Sequence, residues 1–204
     1  MIGSLSVEGT AVLILLLLMS MSIHEFSHAF AGHKLGDTTA EEQGRLSLNP
    51  LRHIDPLMTI VLPILTLLIY HAPILAAKPV PFDPRRLKYE EYGAAMLAFA
   101  GPLSNLLLAI VAASISHIYP PATFLGEVCR MFVILNVALF VFNMIPIPPL
   151  DGSRVLYAFA PEPVRRFMEI IEPFGFFIIF GLVLIGGFGE VLFRLNQLIL
   201  NLLP

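Results

Sequence analysis

Apolar positions in this chain gather into long blocks. Five segments, about 7–31, 57–77, 94–118, 128–146 and 174–200, are hydrophobic enough to enter a membrane. Short polar connections at 32–56, 78–93, 119–127 and 147–173 separate them. A helix needs about 20 predominantly apolar residues to cross a bilayer, so most of these blocks predict spans. The expected fold is an all-α integral membrane protein, a multi-span helical bundle with short extended segments on one side. Apolar and polar residues alternate along Gly44-Arg45-Leu46-Ser47-Leu48-Asn49-Pro50, which predicts a short strand. In Lys78-Pro79-Val80-Pro81-Phe82-Asp83-Pro84 three prolines impose an extended backbone without a regular ladder. The stretch 153–170 mixes Val155, Leu156, Phe159 and Phe167 with Arg154, Arg165 and Arg166, the pattern of an interfacial amphipathic segment, interrupted near Pro161 and Pro163.

Charge sets the topology. The connections at 32–56 and 78–93 carry Lys34, Arg45, Arg52, Lys78, Arg85, Arg86 and Lys88, whereas 119–127 carries neither Lys nor Arg. Three arginines return in 147–173. The positive-inside rule puts the first, second and fourth connections in the cytoplasm and the third outside. Segment 57–77 then starts and ends on one side, so it is expected to be a re-entrant hairpin, with Pro63 and Pro73 easing the break. The stretch before Ala11 has no Lys or Arg, so the first block reads as a permanent span rather than a signal peptide.

Composition agrees. The chain is 57% hydrophobic and 13% charged, against about 25% charged in ordinary globular domains. A net charge of −3, widely dispersed, argues against nucleic-acid binding. The single Cys129 excludes a disulfide framework and reads as a small apolar filler.

The chemistry starts within the first block, at His24-Glu25-Phe26-Ser27-His28. Two histidines four apart on a helix share a face and can chelate one zinc ion, and the glutamate beside them can take a proton from water. Ionisable groups inside a span are costly and usually functional. Two neutral imidazoles leave zinc short of a ligand and of charge compensation. Of the four aspartates, Asp37, Asp55 and Asp83 lie in polar connections, where solvated carboxylates are the default. Asp151 follows Pro146-Ile147-Pro148-Pro149-Leu150, where prolines end the helix and hold a carboxylate on rigid backbone. Unwound backbone at membrane depth survives only where it is buried in protein or lines a wet cavity. Asp151 is therefore the candidate third ligand, with helix capping as the competing account. It meets the histidines only if one full crossing separates the first and fourth segments, which again makes 57–77 a hairpin.

Gly101-Pro102-Leu103-Ser104-Asn105 adds a small-residue helix contact and an amide. Asn105 either donates to a substrate carbonyl or oxyanion, or bonds from helix to helix. Asn143 poses the same choice and reads as structural. His53 and His71 are metal candidates by type but read as polar contacts or gating groups. His33 and His117 look interfacial, and Glu190 and Arg194 stand at i and i+4, placed to pair.

Taken in order, HEFSHAF, GPLSN and FNMIPIPPLDG resemble the site-2 protease family of intramembrane zinc metalloproteases, peptidase family M50. GRLSLNPLRHIDP and KPVPFDP look like its short bacterial branch, and the resemblance covers roughly residues 20–155. HExxH alone is shared with unrelated zinc hydrolases; its pairing with a distant proline-rich LDG is far more specific. The resemblance implies one domain over 1–204, a multi-pass protein of the cell membrane, and one Zn2+ held by His24, His28 and Asp151. It implies Glu25 as the catalytic glutamate and Asn105 as an aid to substrate or oxyanion binding. The implied activity is hydrolysis of peptide bonds in transmembrane or membrane-associated protein segments, with such a protein and membrane lipid as partners. Such a substrate must unwind locally, and the pieces near 45–50 and 78–84 could hold it by strand addition. Two other classes use the same residues: a zinc transporter or carrier, which needs no base at Glu25 and spreads its ligands along a path, and a catalytically silent scaffold.

Overall fold

A computed structural model of the chain describes residues 7–53, 80–120, 122–184 and 186–204. Helix α1 (Val7–Leu35) leads into a four-residue turn of helix, α2 (Thr39–Glu42). After the undescribed stretch come α3 (Glu90–Ser116), α4 (Phe124–Asn143), α5 (Asp151–Phe159), α6 (Glu162–Ile171), α7 (Gly175–Leu184) and α8 (Gly186–Leu202). Among the described residues three helices, α1, α3 and α4, are each long and apolar enough to cross a membrane. Their outward faces expose Ile14, Leu15, Leu107, Val111 and Ile134, as a lipid-facing surface requires. No β-strand forms among the described residues.

Helix ends follow local chemistry more closely than hydropathy does. The helix in α1 outlasts its apolar run by four residues, through Gly32, His33 and Lys34, and stops where Gly36 takes a left-handed φ of 103°. Glu90 and Glu91 open α3 ahead of its apolar stretch, placing negative charge at the helix N-terminus. Thr123 caps α4, its side chain accepting from Gly126 N–H, and the proline run after Met144 ends that helix.

Antiparallel packing of α1 against α3 organises the molecule. Lys88 N–H donates to Leu35 C=O (2.8 Å), so the chain returns at residue 88 to the end of α1 it left. From there the two helices stay in register: a Cβ on Gly32 would touch Leu97, His28 reaches Leu97 C=O, and His24 reaches Asn105. Close approach is possible because the buried face of α3 is made of Gly93, Ala94, Ala98, Gly101, Asn105, Ala109 and Ala112. Beyond this seam lies the main apolar core, Ala109, Ala112 and Ala113 of α3 with Val133, Val137 and Val141 of α4, covered by Leu192 and Ile199 of α8. At the opposite end Leu35, Leu87 and Leu97 form one small cluster, and Ala29, Ala40 and Val80 another.

Several expectations change on contact with the structure. Residues 44–50 do not form a strand: Gly44 is left-handed (φ 67°), Ser47 N–H turns back to Arg45 C=O, and the Asn49 side chain caps the turn Pro50–Arg52. Such local bonds compete with a ladder. Asp37 is not a solvated carboxylate. It is 2% exposed and accepts from Thr39 N–H, Thr39 Oγ1 and Asp83 N–H, pinning the stretch after residue 80 to the end of α1. The block expected over 174–200 is two helices, α7 and α8; Glu162–Val183 and Gly187–Leu202 meet at 88°, beside the glycine pair Gly186-Gly187. The stretch expected to be amphipathic is α5 and α6, broken at Ala160-Pro161 as foreseen. The expected hairpin at 57–77, with Asp55 and His71, lies outside the described residues.

Candidate metal centre

The i,i+4 spacing places His24 and His28 on the α1 face that meets α3, and both are more than nine-tenths buried. Asp151 is the first residue of α5, which packs on α3 and runs back along it: Phe159, at its far end, stacks edge-on against Tyr92. Asp151 therefore sits level with Gly101, nine residues into α3 from Tyr92, a depth of about 14 Å at ~1.5 Å per residue.

Three atoms converge there. His24 Nε2 and His28 Nε2 are 3.0 Å apart, and Asp151 Oδ2 lies 3.2 Å from the first and 3.3 Å from the second. Zinc held at about 2.0–2.1 Å in a tetrahedral site separates its ligand atoms by about 3.3 Å. The triangle already has that size. The only group of three or more His, Cys, Asp or Glu side chains found placed to hold a metal ion, among the described residues, is this one.

Proton positions favour a cation further. His28 Nδ1 lies 2.8 Å from the carbonyl of Leu97, which can only accept, so this nitrogen carries the proton. His24 Nδ1 lies 2.6 Å from Asn105 Oδ1 and donates to it. With both rings neutral, as metal ligands must be, both Nε2 atoms then present lone pairs, 3.0 Å from each other. Two imidazole lone pairs and a carboxylate oxygen facing one another repel unless a positive charge lies between them.

Space is reserved for it. A Cβ on Gly101 would come within 2.7 Å of His24 Nε2 and closer still to His28 Nε2. Gly152 next to Asp151 is equally constrained, since a Cβ there would strike the Met144 carbonyl. Glu25, also on α1, is 7% exposed, and its Oε2 has no hydrogen-bond partner. A buried carboxylate oxygen without a partner is expensive as structure and useful as a proton acceptor. Asp151 is the more open group, its side chain 22% exposed.

The residues singled out in the sequence thus fall into two sets. His24, His28, Asp151 and Glu25 come together. Asn105 joins them differently from the oxyanion expectation: it is fully buried, its Oδ1 on His24 and its Nδ2 donating to Asn136 Oδ1 (2.9 Å). This is the helix-to-helix alternative, with a metal-ligand candidate at one end. Asn143 bonds within its own helix, to Leu139 C=O, and Glu190 pairs with Arg194. His53 is a buried polar contact to Ser47 C=O, and His33 pairs with Glu41. Asn136 was not singled out from the sequence, although a polar side chain in the middle of Val133–Val141 was its signal.

Comparison with known proteins agrees with this geometry. The family model described as "Peptidase family M50" matches residues 122–184, which include α4, the proline run and Asp151. A Bacillus subtilis protein named "Putative zinc metalloprotease YwhC" is 37% identical over 175 residues, covering 81% of this chain and 77% of that protein. One from Mycolicibacterium smegmatis named "Putative zinc metalloprotease Rip2" is 28% identical over 202 residues, 95% of this chain and 75% of that protein. A third, "Putative zinc metalloprotease MJ0611" of Methanocaldococcus jannaschii, is 37% identical over 89 residues, 44% of this chain and 46% of its own length. No solved structure gives a significant match.

Proposed function

This chain belongs to peptidase family M50, and on that premise we propose how its site works: it is an intramembrane zinc metalloprotease in which His24, His28 and Asp151 hold the ion and Glu25 moves the proton. The observation that carries the residue assignment is the triangle of three lone-pair atoms, sized for tetrahedral zinc, beside a buried and unpartnered Glu25 oxygen.

Bound at this triangle, zinc supplies Lewis-acid activation of a water molecule and of the scissile carbonyl. The chain's own groups do the rest. Asp151 contributes the one negative charge among the three donors, offsetting half of the cation's charge. His24 and His28, each fixed through Nδ1, hold their Nε2 atoms on one point without having to reorient. Glu25 Oε2 accepts a proton from water and delivers it to the departing amine. The walls of α1 and α3 keep bulk water from the far side, and Asp151 is the most exposed of the three donors.

The substrate is a protein, and we assign it to transmembrane or membrane-associated segments of proteins in the cell membrane. The support is placement: the donors from α1 lie within a helix long enough to span, and the α3 residues around them lie within a second. A peptide in helical form hides its carbonyls in its own hydrogen bonds, so the segment to be cut must unwind before it reaches Glu25. The whole chain is read as one membrane-embedded domain, since no apolar core outside the bundle is present among the described residues.

The test uses purified full-length protein, wild type and Glu25→Gln, with zinc content and cleavage of a single-span substrate measured on the same samples. Equal zinc is expected, with cleavage by the variant lower by at least about 100-fold, the lower end of a positioned acid–base's contribution. A Glu25→Gln protein that cleaves like wild type would overturn the assignment.

A further inference from the structure

The second asparagine in the interior, Asn136, has no place in the reaction described above. It is fully buried on α4, as Asn105 is on α3. A chain of bonds runs through both. Asn136 Nδ2 donates to the Phe132 carbonyl (2.9 Å), Asn105 Nδ2 donates to Asn136 Oδ1 (2.9 Å), and Asn105 Oδ1 faces His24 Nδ1 at 2.6 Å.

Only one direction is possible along this chain. An amide can be turned end for end, but a backbone carbonyl cannot donate. The Phe132 carbonyl therefore draws the NH2 of Asn136 towards itself, leaving Asn136 Oδ1 towards α3. That oxygen in turn draws the NH2 of Asn105, so Asn105 presents its oxygen to α1. His24 must then carry its proton on Nδ1, which leaves the lone pair of Nε2 free to face Asp151. Turning either amide over would set two oxygens or two NH2 groups against each other in a site without water access. His28 obtains the same result directly, from the Leu97 carbonyl.

We propose that Asn136 is a positioning residue for the metal centre: acting through Asn105, it holds His24 in the Nδ1–H tautomer and aims its Nε2 lone pair at the ion. The proposal rests on the assignment of His24 as a zinc ligand. It ties α4 itself to the centre, from the middle of that helix, whereas Asp151 reaches the centre from the start of α5. It also accounts for two buried amides in a seam built mainly of alanine, glycine and valine, where each would be costly unless bonded.

The test measures zinc affinity of the full chain in detergent by competition with a chelator. Asn136→Leu keeps the branching of the side chain and removes the relay, and zinc binding is expected to weaken about 10- to 100-fold, as when groups behind a ligand are lost. Val137→Ala, a buried packing change one residue away, should leave the affinity within about twofold, since it touches no ligand partner. Adding Asn105→Asp to Asn136→Leu should restore most of the loss, because a carboxylate accepts from His24 whichever way it is turned. A purely structural Asn136 would show no such rescue. Asn136→Leu protein that binds zinc like wild type, or a double variant no better than the single one, overturns the proposal. If Asn136→Leu cannot be obtained folded, 15N-histidine spectra of metal-free wild type decide it: Nδ1 of His24 protonated supports the relay, and Nε2 protonated overturns it. Wild type that binds no zinc at all would instead sink the metal centre itself, a separate failure.

Discussion

Gly101 stands directly against both ligand nitrogens: its missing Cβ would lie 2.7 Å from His24 Nε2 and nearer still to His28 Nε2. Neither ring can retreat. His28 is held by the Leu97 carbonyl four residues earlier on the same helix, and His24 by Asn105 four residues later. The α3 face thus acts as a mould, with a carbonyl and an amide fixing the rings and a glycine between them leaving the gap.

Gly101→Ala is accordingly expected to abolish zinc binding while sparing the helix. Alanine is the better helix former, by about 0.8–1.0 kcal/mol, so α3 itself should not suffer. Metal content of the purified variant should fall at least about tenfold, since forcing extra atoms into a packed site costs ~1–3 kcal/mol. Elemental analysis alongside circular dichroism checks this. Normal zinc in a folded variant would place the ion elsewhere.

Much of the centre was legible because its residues follow short rules: two histidines at helical spacing, a glutamate beside them, and a carboxylate behind a proline run. Gly101 was legible only as a small-residue contact. What it leaves room for depends on where α1 lies, which no local pattern states. Asn136 escaped notice for a related reason, since its role passes through Asn105 on another helix before it reaches His24. Alternation in 44–50 misled because Gly44, Ser47 and Asn49 form bonds that alternation does not register. The near-continuous apolar run over 174–200 concealed a bend, since hydropathy averages over a pair of glycines.

Asp151→Asn preserves shape and removes the only charge among the three donors. Neutral oxygen leaves both positive charges of the ion uncompensated within a mostly buried site, and each tenfold in affinity is only about 1.4 kcal/mol. A loss of at least about 100-fold in zinc affinity is expected, measured by chelator competition. Affinity within about threefold of wild type would remove Asp151 from the ligand set.

Asp37 offers a contrasting case, a buried carboxylate with a structural task. Its three donors, Thr39 N–H, Thr39 Oγ1 and Asp83 N–H, tie the turn after α1 to the stretch that leads into α3. Asp37→Ala leaves two part-buried backbone donors unpaired, at a cost of about 1–3 kcal/mol. Thermal unfolding in detergent should shift down accordingly, while zinc per folded chain stays at the wild-type level. Loss of zinc at full stability would show that Asp37 serves the centre instead.

Metal removal tests the electrostatic argument as a whole. Three lone-pair atoms at 3.0–3.3 Å repel in the absence of a cation, so the folded chain should be measurably less stable stripped of zinc than loaded with it. Binding to the folded form alone adds RT ln(1 + [L]/Kd), about 2.7 kcal/mol when free zinc is 100 times Kd. Chelation should lower the unfolding temperature of wild type, and re-addition of zinc should restore it. Gly101→Ala and Asp151→Asn should show little or no such dependence, because their folded forms have lost the preference for the ion. Wild type whose unfolding ignores zinc, measured where zinc is known to be bound, would mean that the ion binds folded and unfolded chain alike, and the convergence of His24, His28 and Asp151 would not be what holds it.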